Sequence, residues 1–140
     1  MSEAVREVPK KQRPQFRNIH VTQLSNYRLP MAGIVSILHR ISGFALFLAL
    51  PFILYLFQMS LLSEDTFKYF AGIASHPLVK LVILGLAWSY YQHFAAGVRH
   101  LFMDVHLAIE KDSSRNSAVA VIAVSLFLTF ITALKLFGVF

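Results

Sequence analysis

Cysteine is absent from all 140 residues, which excludes a disulfide framework and any thiolate metal or iron–sulfur site built from this chain. Charge is scarce as well. Only 14% of residues are Asp, Glu, Lys or Arg while 56% are hydrophobic, against roughly a quarter charged in soluble proteins. Acidic residues number 7 against 13 basic ones, and the excess is local. Arg6, Lys10, Lys11, Arg13, Arg17 and Arg28 all precede the first apolar run, so the net charge reads as a membrane flank rather than a nucleic-acid surface. Residues 1–30 lack the apolar core of a secretory signal, and Glu3 and Glu7 with scattered serines do not suit a transit segment.

What is present is grease in long runs. Residues 41–59, 81–98 and 118–134 each approach the ~20 residues that span a hydrocarbon core. The expected fold is all-α and integral to a membrane. A cytoplasmic N-terminal segment, residues 1–30, precedes a three-helix transmembrane anchor domain, residues 31–140, with helices at about 31–59, 77–104 and 117–136. The basic flank puts the N-terminus in the cytoplasm by the positive-inside rule.

Punctuation along the chain supports these bounds. Pro30 suits the entry of the first helix, and Pro51 should kink it by removing a backbone donor. Ser63-Glu64-Asp65-Thr66 offers a serine cap with acids in the first turn, followed by Phe67, Phe70 and Ile73 at helical spacing, which predicts a short surface helix. Ser75-His76-Pro77 opens the second span. Residues 110–116 read as a polar turn, and the third span carries only Ser125, Thr129 and Thr132 as polar groups.

Two stretches place polar groups where lipid is expected. On the first span, Ser36 and Arg40 are four residues apart and share a face, with His39 and Gly43 paired likewise on an adjoining one. On the second, His93 lies about 9 Å along the helix from Arg99, inside the hydrocarbon. An imidazole there serves as a packing residue, a proton relay or a metal ligand. Gly97, one turn on, leaves room for a large planar group or a close helix, and His100 lies on nearly the same face. One deep histidine with His100, His39 and Arg40 at a shallower level fits a haem whose propionates point to the cytoplasm. His93 and His100, about 10.5 Å apart on one helix, cannot reach one iron from opposite faces. A bis-histidine iron therefore takes its second ligand from another chain; a lone-ligand site or a haem-free anchor is the alternative. Asp104 reads as a helix-end acid pairing with Arg99 or His100, with proton entry as its other role.

Ser36-Ile37-Leu38-His39-Arg40-Ile41-Ser42-Gly43, with His93 and Gly97-Val98-Arg99-His100-Leu101-Phe102-Met103-Asp104, closely resembles the cytochrome b556 membrane-anchor subunit family of succinate dehydrogenase. Arg13-Pro14 and the three-helix layout match too. The resemblance implies haem b shared with a second small membrane-anchor subunit, His93 as this chain's axial iron ligand, and His39, Arg40 and His100 near the haem propionates. It implies that Ser36 and Arg40 line the ubiquinone site. By the same resemblance, a flavoprotein carrying FAD and an iron–sulfur protein are expected to dock on the cytoplasmic or matrix face, with electrons passing from succinate to quinone in the respiratory chain and citric acid cycle. The chain alone is then no catalyst. Residues 15–29 depart from the commonest family version, which often has a Pro-His and a tyrosine after the Arg-Pro; His20 and Tyr27 fill analogous roles or none. The bacterial inner membrane is favoured, with the mitochondrial inner membrane as the alternative.

Elementary chemistry points the same way. Quinone reduction needs a hydrogen-bond donor at a carbonyl oxygen and a positive charge for the developing negative one, which Ser36 and Arg40 can supply from one helix face. A haem-free anchor of the fumarate reductase type would not need a deep histidine. A self-contained di-haem cytochrome would need histidine pairs at matching depths on different helices, which the chain does not have, and a small channel leaves both stretches unexplained.

Overall fold

A computed structural model describes Thr22 and residues 28–139 of the chain. The N-terminal segment with Arg13, Pro14, His20 and Tyr27 lies outside the described residues. Four helices follow one another: α1 (Met31–Leu62), α2 (Glu64–Ala74), α3 (Pro77–Asp104) and α4 (Lys111–Leu136). Helix α3 packs on both α1 and α4, and α2 packs mainly on α1.

Local chemistry sets the ends. Pro30 is the N-cap of α1, extended at φ −66° and ψ 154°, and its carbonyl accepts from the Gly33 and Ile34 amides. The helix then runs unbroken through Pro51 to Leu62. Ser63 and Thr66 form a reciprocal capping box at the start of α2, the hydroxyl of Ser63 accepting from the Thr66 amide at 3.1 Å. His76 caps α3 by accepting from the Leu78 amide through Nδ1, with Pro77 in the first turn where no donor is required.

The end of α3 departs from expectation. Residues 111–116, anticipated as a polar turn, form the first turns of α4. The Ser114 amide and the Ser113 hydroxyl both bond the Glu110 carbonyl, so polar side chains support the helix instead of breaking it. The turn itself is residues 105–110, where His106 and Ala108 adopt φ of 61° and 58°. Left-handed backbone at two residues bearing Cβ atoms is uncommon and costs free energy.

Polarity is distributed inside out. Among the described residues, the buried set includes Ser42, Ser89, Gln92, Arg99 and Ser125 beside Val35, Ala96, Ala118 and Val121. Phe44, Phe47, Phe52, Phe57, Phe94, Phe127 and Phe130 are all exposed. Such a surface is stable only in an apolar solvent, where polar groups seek one another between helices. Helices α1 and α4 are long and apolar enough to cross a membrane, and α2 with α3, bent by 89° at their junction, bring the spans to as many as three.

Candidate functional site

The site forms where α1 and α3 face each other. His39 on α1 lies between two α3 imidazoles that are seven residues apart. Its ring stacks on His93 with centroids 4.2 Å apart and planes 19° apart, and it meets His100 at 5.1 Å and 42°. All three imidazoles are half-buried. Among the described residues no three His, Cys, Asp or Glu side chains form a group that could hold a bare metal ion. The three imidazoles are a stack of rings, not a coordination cage.

His93 is held by the main chain of α1. Its Nδ1 lies 3.0 Å from the carbonyl oxygen of His39, which also accepts the Ser42 hydroxyl at 3.0 Å. A carbonyl only accepts, so Nδ1 carries the proton and Nε2 keeps its lone pair. That arrangement is the usual way a protein orients a metal-ligating imidazole.

Two glycines border the stack, and they differ. A Cβ on Gly97 would meet only the Nε2 of His39, at 3.8 Å, which is ordinary contact. Of the two uses expected for the room at Gly97, a large planar group or a close helix, the His39 contact is with the neighbouring helix α1. A Cβ on Gly43 would lie 2.7 Å from Cε1 and 3.0 Å from Nδ1 of His93. Gly43 is the position at which a side chain could not be added without moving His93.

Ser36 and Arg40 occupy one face of α1. The exposed Arg40 donates through Nε to the Ser36 carbonyl at 3.2 Å, so its side chain folds back along the helix toward Ser36. Arg40 follows His39 in sequence, and the ring stack itself consists of His39, His93 and His100.

Asp104 and Arg99 correct the expected ion pair. Among the described residues Asp104 is exposed and forms no salt bridge; the one ion pair is Lys68 with Glu64. Arg99 is only 5% exposed and turns toward α4. Its Nε donates to the Ser117 hydroxyl at 3.0 Å, and its Nη2 donates to the Ser114 hydroxyl at 3.0 Å and the Ser114 carbonyl at 3.4 Å. The serines one turn apart at the start of α4 were the signal for this contact, hidden by their resemblance to a turn.

The rest of the α3–α4 seam is also polar. The Ser125 hydroxyl donates to Gln92 Oε1 at 2.8 Å, and the Tyr91 and Thr132 hydroxyls pair at 2.9 Å. Gln92 Nε2 has no partner. Two apolar grooves lie away from the histidines. One of about 490 Å³ between α3 and α4 has Arg99 at its edge, and one of about 860 Å³ is bordered by α1, α2 and α3.

An all-helical chain with an apolar surface and histidines on a helix–helix seam defines a class, the helical membrane subunits. Within it, the chain belongs to the succinate dehydrogenase/fumarate reductase transmembrane subunit family, which it matches over residues 10–132. It is 32% identical over 114 residues to the succinate dehydrogenase cytochrome b556 subunit of Paracoccus denitrificans, covering 81% of this chain and 88% of that one. The protein of the same description from Coxiella burnetii is 35% identical over 103 residues, 73% and 82% of the two chains. That of Rickettsia felis is 26% identical over 108 residues, 77% and 84%.

Proposed function

We propose that this chain is a membrane-anchor cytochrome b subunit of succinate dehydrogenase, crossing the bacterial inner membrane three times with its N-terminus in the cytoplasm. It binds haem b together with a second small anchor subunit and helps form the site where ubiquinone is reduced. The observation that carries this reading is the anchored imidazole of His93. Nδ1 is engaged by the His39 carbonyl, so Nε2 is the nitrogen left to serve an iron.

Haem b, when bound, supplies a one-electron centre between partner and quinone. The residues of this chain do the rest of what can be assigned to it. His93 would hold the haem iron through Nε2, and a bis-histidine iron would take its other ligand from the partner anchor. His39, Arg40 and His100 supply the donors that haem propionates require. Ser36 donates a hydrogen bond to a quinone carbonyl, and Arg40 lowers the energy of the negative charge that develops there. The flavoprotein with FAD and the iron–sulfur subunit dock on the cytoplasmic side.

The test is the reduced-minus-oxidised spectrum of the complex purified through its partners. A b-type signal near one haem per flavin is expected, and His93→Ala should abolish or severely perturb it. A normal spectrum and haem stoichiometry in that variant would sink the ligand assignment.

A further inference from the structure

We infer that Gly43 is a positioning residue for the iron ligand: its missing side chain is the seat on which the His93 imidazole rests, and it fixes where Nε2 points. The inference rests on the haem reading above and adds a residue to it. The ring of His93 is constrained on three sides by α1 alone. His39 covers one face at 4.2 Å, the His39 carbonyl engages Nδ1 at 3.0 Å, and the Cε1–Nδ1 edge lies over the backbone of Gly43. An alanine Cβ at 43 would fall 2.7 Å from Cε1 where ordinary contact begins at 3.4 Å. The ring cannot yield toward His39 without compressing the stack. It can only lift away from α1, and that lengthens the hydrogen bond that sets its tautomer and basicity.

Gly97 is the internal control. It lies on the same pair of helices and borders the same stack, yet its added Cβ would make only the 3.8 Å contact to His39. Helix propensity would favour alanine at both positions, so the two substitutions differ in what they do to His93 and in little else.

The experiment compares Gly43→Ala, Gly97→Ala and His93→Ala in the intact membrane complex, reading haem per flavin, the reduced spectrum and the haem midpoint potential. Gly43→Ala should weaken haem retention by about 10- to 100-fold, the range for groups that orient a metal-ligating histidine, or else shift the potential and the spectrum. Gly97→Ala should change none of these. A Gly43→Ala complex with wild-type haem content, spectrum and potential would overturn the inference while leaving the haem reading intact, whereas an unaltered haem in His93→Ala overturns the haem reading itself. If Gly43→Ala loses flavin from the membrane, Gly43→Ala combined with His93→Ala decides. Removing the ring removes the clash, so flavin should return to the level of His93→Ala alone, and a lower level would show that Gly43 acts by some other contact.

Discussion

The two faces of α3 bury polar groups in different ways. Toward α4, Gln92, Arg99 and Tyr91 meet Ser125, Ser114, Ser117 and Thr132 in pairs of complementary donors and acceptors. Toward α1, His93 has one nitrogen fixed by a carbonyl, and no hydrogen bond engages the other among the described residues. The α4 face has an open atom too, Gln92 Nε2, but an amide nitrogen is a donor with no lone pair to give. A buried polar group is therefore a poor marker of chemistry, and a lone pair held ready is a better one.

That contrast can be broken by substitution. The largest expected effect is that of His93→Ala, loss of the b-type signal with the complex still assembled, read by difference spectroscopy. Next is Arg40→Leu. It should lower quinone reductase activity by roughly 100-fold, the lower end for losing one group that stabilises a developing negative charge, while succinate oxidation with a water-soluble acceptor stays within twofold; equal loss of both would mean failed assembly. On the α4 face, Ser125→Ala leaves Gln92 Oε1 without a partner, as Nε2 already is, and should cost about 1 kcal/mol of stability, above the ~0.6 kcal/mol average for interhelical hydrogen bonds in membranes. Thermal unfolding of the solubilised complex reads it, and haem content should not change. Smallest of all is Glu64→Gln. The Lys68–Glu64 pair is 68% and 78% exposed, so its loss should leave the same melting curve superimposable on that of the unmodified chain. A haem defect from Ser125→Ala, or a purely thermal defect from His93→Ala, would reverse the assignment of the two faces.

Sequence spacing disclosed whatever lies within one helix. Ser36 and Arg40 at i and i+4 do share a face and are joined through the Ser36 carbonyl, and the serine cap of α2 is where its side chains suggested. What spacing could not disclose is the register between helices. Gly97 drew notice because it follows His93 by one turn, yet the glycine that matters to His93 is Gly43, fifty residues earlier and next to it only in space. The boundary after α3 was hidden for another reason. The turn of residues 105–110 reverses direction with His106 and Ala108 in left-handed backbone, where glycine or asparagine would have announced it. The polar residues after it belong to a helix whose first turns hold Arg99.

The stack of His39 between His93 and His100 also has a meaning in time. All three imidazoles, the carbonyl that anchors His93 and the glycine beneath it lie between residues 39 and 100, on helices that precede α4 in the chain. The ligand half of the site can close as a hairpin of α1 and α3 while the last helix is still being synthesised. Closure of the histidine seam and final packing against α4 are then separable steps, the first belonging to one face of α3 and the second to the other.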